Sequence, residues 1–310
     1  MTIDVSFVIP LYNEVESLDE LKQALDAVVR EHAWAAEYLF VDDGSSDGSL
    51  EALLRLHESE PERVKLLSFR RNQGKSAALA AAFQVVRGER VVTLDADLQD
   101  DPSEVPRLFA ALDDGADLVC GWKRKRNDPL SKKLPSRLFN AVTGRLSGLP
   151  LHDFNTGLKA YRAEVVQTVT VYGELHRFIP VLAAWQGFRV AEIPVEHHAR
   201  KYGQSKFGPR RFLHGLFDLV TVMFLTRRAR SPLHFFGSLA LVFLFVGVTI
   251  DGWFLLQWFQ GTGMRVRPLM LLGIGMIIVG IQIGSMGLLA EMLSAQRAAR
   301  ETWSFRERRL

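Results

Sequence analysis

The first half of the chain alternates short apolar runs with apolar residues at helical spacing. Residues 5–10 are almost wholly apolar and predict a short buried strand. Apolar residues then recur on one helix face, at Leu18, Leu21, Leu25 and Val28. Ser17-x-x-Glu20 stands where a capping box would begin that helix. The chain is therefore predicted to open with a strand followed by a helix.

The same pairing of a strand with a helix recurs three times. We predict strands over 38–41, 64–69 and 90–94, followed by helices near 50–57, 73–86 and 105–112, and a fifth strand over 117–121. Alternating strands and helices indicate an α/β fold, with a mostly parallel sheet and helices on both of its faces. Ligands of such sheets bind beyond the carboxyl ends of the strands.

The last third of the chain has a different pattern. Residues 235–259 and 269–293 are long, mostly apolar runs, and each exceeds the ~20 residues that cross a bilayer as a helix. Arginines precede the first run and follow the second, which predicts that both flanks are cytoplasmic. The chain starts without a charged n-region or cleavage site, so the N-terminal part should also stay in the cytoplasm.

These patterns divide the chain into four segments. Residues 1–206 form a predicted catalytic domain, and 207–230, which mix basic and apolar side chains, form an interfacial helix on the membrane surface. A hairpin of two spans covers 231–296, and 297–310 are a basic cytoplasmic tail. The prediction is an integral membrane protein.

Composition excludes several other classes. The net charge of +3 is too small to suggest a nucleic-acid partner, and the single cysteine, Cys120, excludes an intramolecular disulfide framework. The chain lacks G-x-x-x-x-G-K-[ST] and G-x-G-x-x-G, which argues against an ATPase and a dinucleotide oxidoreductase. Cys120 is expected to be a core residue on a strand.

Acidic side chains follow the fourth predicted strand in VVTLDADLQDDP. Asp95 and Asp97 stand where the strand should end, and paired carboxylates of this kind suit Mg²⁺ or Mn²⁺. Solvated loop acids are the alternative at these two positions. Asp101-Pro-Ser-Glu, in contrast, is typical of a helix N-cap.

Other polar residues follow the other strands and should share one crevice with Asp95 and Asp97. They are Asn13 and Glu14, Asp42 and Asp43, Arg71 to Lys75, and the basic run WKRKRNDPLSKK that contains Lys123 and Arg124. A divalent ion there would neutralise a diphosphate leaving group. Asp42 or Asp43 could accept hydrogen bonds from a base or ribose, and Arg71 or Lys75 could contact phosphate.

Five motifs together resemble a known family. FVIPLYNE, LFVDDGSSDGS, RNQGKSAALAAAF, TLDADLQDDP and HDFNTGLKAYR are similar, in order and spacing, to the family 2 glycosyltransferases, especially the polyprenyl- or dolichyl-phosphate sugar synthases. The likeness covers residues 3 to about 206, and the two spans match bacterial membrane-anchored members. It implies a GT-A fold, a metal-dependent inverting transfer, a nucleotide-sugar donor and a lipid-phosphate acceptor.

The resemblance also implies roles for individual residues. Asp95, Asp97 and Gln99 would hold Mg²⁺ or Mn²⁺ with the diphosphate, and Asp97 and Lys75 would be catalytic residues. The nucleoside pocket would be lined by Pro10, Tyr12, Glu14 and Asp43, with Asp42 as a further candidate. The acceptor phosphate would bind the R-x-x-G-x-S-K segment, through Arg200, Ser205 and Lys206. Apart from the resemblance, the basic run that contains Lys123 and Arg124 is either a further site for this phosphate or a solvated surface.

Asp153 occupies the place where many members carry an acidic catalytic residue. A lipid monophosphate has a second pKa near ~6 and is already a dianion at neutral pH, so it needs no general base. Asp153 could then serve only as an orienting group, and the sequence leaves both roles open, a catalytic base and an orienting group.

The predicted function is transfer of one sugar to polyprenyl phosphate at the cytoplasmic face of a bacterial inner membrane. UDP-glucose is the favoured donor, and GDP-mannose or a UDP-amino-sugar is the alternative. A non-catalytic membrane scaffold or flippase subunit is the alternative from another class. A homo-oligomer is a further expectation, since Gln282 could pair with another helix.

Overall fold

The computed structural model describes residues 2–124, 140–145, 147–173, 175–198, 201–202, 232–261 and 267–298. These residues belong to two units, an N-terminal α/β unit and a C-terminal pair of long helices. The predicted interfacial helix at 207–230 lies outside the described residues, as do the tail beyond 298 and Arg200, Ser205 and Lys206.

Seven strands of the N-terminal unit form one sheet, in the order β3-β2-β1-β4-β6-β5-β7. The strands are β1 (Val5–Leu11), β2 (Ala36–Asp42), β3 (Val64–Ser68), β4 (Arg90–Thr93), β5 (Leu118–Lys123), β6 (Lys159–Arg162) and β7 (Val190–Val195). Its helices are α1 (Leu18–Glu31), α2 (Ser49–Ser59), α3 (Lys75–Phe83), α4 (Val105–Asp113), α5 (Ala163–Thr168) and α6 (Ile179–Trp185).

All neighbouring strands pair in parallel except β6, which runs antiparallel to both β4 and β5. The prediction of a mostly parallel α/β sheet is confirmed. The reversal of β6 brings its N-terminal end to the sheet edge where β4 and β5 have their carboxyl ends. The HDFNTG loop before β6 therefore arrives at the same edge as the Asp95 and Asp97 turn.

Apolar side chains cover both faces of the sheet. Val5, Phe7 and Ile9 point to one face, where they pack in a core with leucines of α1 and α4. α3 packs on β1 and β2 through Ala78, Leu79 and Ala82, all of them buried. Strands buried on both faces explain the unbroken apolar runs in the sequence.

The capping box predicted at Ser17 is wrong. A short 3₁₀ turn, Val15–Ser17, precedes α1, so Ser17 already has helical dihedral angles. Its hydroxyl donates to the carbonyl of Glu14 at 2.9 Å instead of accepting from the helix. The cap predicted at Asp101 is confirmed, because its carboxylate accepts from the Ser103 N–H at 2.8 Å.

Two long apolar helices make up the C-terminal unit, α7 (Pro232–Phe259) and α8 (Pro268–Ala298). The segments 233–259 and 268–292 have mean hydropathies of 2.2 and 2.1 and are long enough to cross a bilayer. Glycines let the two helices approach closely: a Cβ at Gly247 would lie 2.7 Å from the carbonyl of Gly273. Leu233 N–H also donates to Glu291 at 3.1 Å, which satisfies one N-terminal donor of α7.

Candidate active site

The carboxyl ends of β1, β2 and β4 bring the predicted donor-site residues to one edge of the sheet. Pro10 lies near the end of β1, and Tyr12 and Glu14 follow in the next loop. Asn13 takes a positive φ of 54°, and its side-chain carbonyl accepts from Ser46 N–H at 2.8 Å. The loop after β1 is thus tied to the loop after β2.

Asp42 and Asp43 are both buried, and hydrogen bonds from their own surroundings hold both carboxylates. Asp42 accepts from Ser45 N–H at 3.0 Å and from the Ser68 hydroxyl at 2.8 Å. Asp43 accepts from the N–H groups of Gln73 and Gly74, at 2.6 and 2.9 Å. Asp43 therefore fixes the loop that leads into Lys75, and a nucleoside role for either aspartate stays a prediction.

Gly44 makes this arrangement possible. It has a φ of +75°, and a Cβ there would lie 2.7 Å from the backbone carbon of Arg71. Only glycine allows the two loops to approach this closely. The Arg71 side chain is exposed, and its role in binding phosphate or base stays a prediction.

Asp95 forms an ion pair with Lys75, the first residue of α3. The Asp95 side chain is 35% exposed, so one of its sides faces the crevice. Burial raises the pKa of its carboxyl, but Lys75, with Lys123 and Lys159 further off, outweighs this and lowers the pKa to about 2. Asp95 is therefore ionised throughout the physiological range.

The turn after Asp95 is held at its far end. Leu98 has a φ of 58°, and the Gln99 N–H donates to Asp97 at 3.3 Å. The Gln99 amide donates to the carbonyl of His198 at 3.4 Å. Asp95, Asp97 and Gln99 thus lie on one tight turn, as their predicted role as metal ligands requires.

Asp100 is a buried residue of the site that the sequence analysis missed. Its Oδ1 lies 2.9 Å from the ammonium of Lys123. Burial lowers the pKa of Lys123, but Asp100 outweighs this and raises it. The ammonium of Lys123, predicted to meet the acceptor phosphate, is therefore directed at a carboxylate.

Carboxylate oxygens also converge on Gly157. A Cβ at this glycine would lie 2.7 Å from Oδ2 of both Asp95 and Asp100. Asp100 Oδ2 is buried and has no hydrogen-bond partner among the residues that the structure describes. Any larger residue at 157 would displace these carboxylates.

The oxygen donors of the turn fit a divalent cation. In the described part of the chain, no three His, Cys, Asp or Glu side chains gather as a metal site. Mg²⁺, however, is commonly held by one or two carboxylates together with substrate phosphates. Asp95 and Asp97 supply the carboxylates, and the converging oxygens at Gly157 show that negative charge concentrates here.

Asp153 is 1% exposed, and Glu192 on β7 fixes its backbone. Glu192 accepts from the N–H groups of His152 and Asp153, each at 2.9 Å, and lies 2.7 Å from His152 Nδ1. The His152 ring also stacks on Trp122 with centroids 4.1 Å apart. Glu192, which the sequence analysis missed, thus holds the loop that carries Asp153.

A small cavity lies beside the Asp95–Lys75 ion pair. Its volume of about 10 Å³ has room for one water molecule. Its polar lining includes Lys75, Asn155, Thr156, Lys159, His176 and Arg177. Ser76 braces one wall, because its hydroxyl accepts from the His176 N–H at 3.1 Å and lies 2.9 Å from His176 Nδ1.

The predicted acceptor residues are described only in part. Arg124, the last described residue of the basic run, lies with its guanidinium 6.0 Å from the centre of the Trp122 ring. Cys120 is fully buried on β5, as predicted, and burial raises the pKa of its thiol to about 12. It is an unreactive core residue.

Comparison with known proteins shows which family the chain resembles. Residues 6–170 match the family model described as glycosyl transferase family 2. The chain is 34% identical over 305 residues to a dodecaprenyl-phosphate galacturonate synthase of Rhizobium johnstonii, covering 94% of this chain and 88% of that protein. It is 35% identical over 291 residues to an undecaprenyl-phosphate 4-deoxy-4-formamido-L-arabinose transferase of Salmonella paratyphi A, covering 93% and 88%.

Solved structures share the fold. A mannosyl-3-phosphoglycerate synthase of Rubrobacter xylanophilus aligns with a TM-score of 0.56 at 16% identity, over 73% of this chain and 74% of that chain. A glucosyl-3-phosphoglycerate synthase of Mycobacterium tuberculosis, in complex with Mn²⁺ and UDP-glucose, aligns with a TM-score of 0.54 at 17% identity, over 72% and 79%. The N-terminal unit therefore has a GT-A fold.

Proposed function

Because this chain belongs to glycosyltransferase family 2, we propose that it transfers one sugar from a nucleotide-sugar to a polyprenyl phosphate at a membrane surface. The observation that carries the proposal is the Asp95 and Asp97 turn. It lies at the carboxyl end of β4, beside the buried loop of Asp153 and a group of lysines. Relatives that match almost the whole chain act on polyprenyl phosphates, according to their names.

The donor in this proposal is a UDP-sugar. UDP-glucose remains a candidate, and the two named relatives add a uronic acid and an amino-pentose derivative to the sugars worth testing. GDP-mannose is the remaining alternative. The nucleoside side of the crevice would be lined by Pro10, Tyr12, Glu14, Asp43 and Arg71. Asp42 is a further candidate for this lining.

A divalent cation is part of the proposal, held by Asp95, Asp97 and Gln99. When bound, it would neutralise the charge that develops on the departing diphosphate. Lys75 adds a second positive charge at this point, because it lies against Asp95. Lys75 can pair with phosphate oxygens once Asp95 binds the cation.

The acceptor supplies its own nucleophile. An oxygen of the phosphate dianion attacks the anomeric carbon and forms a new C–O bond, while the bond to the nucleoside diphosphate breaks with inversion. No proton has to be removed from a phosphate whose second pKa is near ~6. Asp153, held in place by Glu192, is then an orienting residue for the sugar or the acceptor.

The spans would tether the chain to the membrane that contains the lipid phosphate. Arginines precede the first span and follow the second in the sequence, which favours a cytoplasmic active site at the bacterial inner membrane. The segments 200–206 and 207–230 would contribute Arg200, Ser205 and Lys206 to the phosphate and an interfacial helix to the membrane surface.

The test is a donor panel. The purified full-length chain is incubated with undecaprenyl phosphate, Mg²⁺ or Mn²⁺, and radiolabelled UDP-glucose, UDP-galacturonate, a UDP-amino-sugar or GDP-mannose. We expect label from one UDP-sugar to move into the organic phase. Failure of every donor, with the protein folded, would favour the non-catalytic scaffold.

A further inference from the structure

Lys159 is a buried lysine that has no role in the proposed reaction as described so far. It lies on β6, directly opposite Thr93 of β4, and is 4% exposed. Its ammonium donates to the carbonyl of Thr156. Within the described part of the chain it forms no ion pair with a carboxylate, although Asp95 and Asp153 act on it from a longer distance.

Such a group is expensive to bury. An ammonium loses its hydration in the interior, and a single carbonyl does not replace the counter-charge that a carboxylate would supply. Burial, reinforced by repulsion from Lys75, lowers the pKa of Lys159. An anion bound beside Lys159 would relieve this cost.

The cavity described above is the place where such an anion can bind. Lys159 and Arg177 form its inner wall, and both are more than nine-tenths buried. Lys75 and the exposed Asn155 form its rim, so the cavity communicates with the crevice at Asp95. Its volume, room for one water molecule, fits a single oxygen atom of a larger group.

We propose that this cavity is an oxyanion subsite, in which Lys159 and Arg177 bind one oxygen of a substrate phosphate monoester or carboxylate. The inference rests on the proposed sugar transfer, because that reaction brings such groups to this edge of the sheet. Two substrates could supply the oxygen: the acceptor, through its phosphate, or a uronic acid donor, through its sugar carboxylate.

Kinetics of the full-length chain in nanodiscs distinguish these sources. Lys159→Met removes the charge at similar length, Lys159→Arg keeps it, and Lys22→Met is the matched control. Lys22 is another largely buried lysine, paired with Asp26 and Glu60 on the far helix α1. The acceptor is a short-chain prenyl phosphate, and the donors are UDP-glucose and UDP-galacturonate.

If the acceptor phosphate enters the cavity, Lys159→Met raises the acceptor KM at least ~10-fold and leaves the donor KM within about twofold, as the loss of a hydrogen bond to a charged group predicts. If the carboxylate enters, the KM of UDP-galacturonate rises and that of UDP-glucose does not. In either case Lys159→Arg restores most of the KM, because the positive charge is kept. A lysine with a purely structural role would not show this dependence of KM on charge.

Equal KM values for Lys159→Met and Lys22→Met would overturn the subsite while leaving the transfer itself intact. A wild-type chain that transfers no sugar would instead refute the proposed function. Should Lys159→Met not fold, inorganic phosphate serves as the probe on the wild-type chain. Inhibition competitive with the acceptor or with UDP-galacturonate supports the subsite, and inhibition competitive with neither refutes it.

Discussion

Two strands of the sheet end in the same sequence pattern, an apolar run followed by closely spaced aspartates. After β2, Asp42 and Asp43 are buried and bound by neighbouring N–H and hydroxyl groups. After β4, Asp95 is partly exposed and its partner is the ammonium of Lys75. The first pair holds loops together, while the second is the pair proposed to bind a ligand.

The difference lies in where the partners come from. Asp43 is satisfied by backbone groups of Gln73 and Gly74, which cannot leave without unfolding the loop. Asp95 is satisfied by a flexible side chain, which can turn to a phosphate. An acidic pair is thus a candidate ligand site when its partners are mobile cations, and a structural element when they are backbone donors.

The largest effect should come from Asp97→Ala. Loss of a predicted metal ligand on this half-buried turn should lower kcat for sugar transfer on the order of 10²-fold or more, with an unchanged melting temperature. Initial rates and thermal melts of the purified chain measure both, and excess chelator should reproduce the loss in the wild type.

Asp101→Ala is the matched control four residues along. It removes the N-cap bond to Ser103 and should cost roughly 0.5–2 kcal/mol of stability with little change in transfer. Full activity of Asp97→Ala in chelator would contradict the assignment of this turn to a metal.

Asp43→Ala, unlike Asp97→Ala, should lower the stability of the fold. Two partly buried N–H groups would lose a charged acceptor, and a hydrogen bond to a charged group contributes about 1.5–3 kcal/mol. The melting temperature should fall clearly, and Arg71 and Lys75 should lose their fixed positions. An unchanged melting temperature together with a raised donor KM would show that Asp43 contacts the nucleoside without holding the loop.

Glu192 extends the comparison to a third strand. Glu192→Leu removes the acceptor for the His152 and Asp153 N–H groups and should lower kcat ~10-fold with little effect on the donor KM. Glu192→Gln keeps one acceptor oxygen and should recover most of the rate. Equal losses in the two variants would show that the charge of Glu192 matters, rather than its hold on the loop.

The smallest effect is a shift in acid stability. The pKa of Asp95 is about 2 in the folded chain and ~3.9 when unfolded, so its ionised form stabilises the fold above about pH 4 and this contribution is lost as pH falls towards 2. Lys75→Met should raise the pKa and move the loss to higher pH. Melting temperatures of both proteins between pH 2 and 5 test this, and parallel curves would contradict it.

The succession of strands and helices along the chain could be predicted, because apolar runs and helical spacing are local signals. Asp95, Asp97 and Lys75 come after predicted strands, which is why the sequence alone makes them candidates for the site. The reversed direction of β6 could not be predicted, because KAYR is only four residues long and its direction depends on pairing with distant strands.

The residues that were missed are those whose role depends on tertiary contacts. In the sequence Asp100 is one of several acids in an acidic run. Only its contacts with Lys123 and Gly157 in the folded chain distinguish it from the others. Lys159 and Glu192 did leave a signal, because each is a charged residue within a strand, where burial requires a partner. The prediction of a capping box at Ser17 was wrong because Ser17 belongs to a 3₁₀ turn, in which its hydroxyl donates to the carbonyl of Glu14.

The antiparallel β6 has a consequence for how such enzymes can diversify. The chain leaves β5 and enters β6 at the same edge of the sheet, so everything between these strands is an excursion that begins and ends beside the Asp95 turn. Exchanging this segment leaves the order of all seven strands unchanged. A change of acceptor or sugar could therefore arise by exchange of this segment alone, without a change in the strands proposed to carry the nucleotide site.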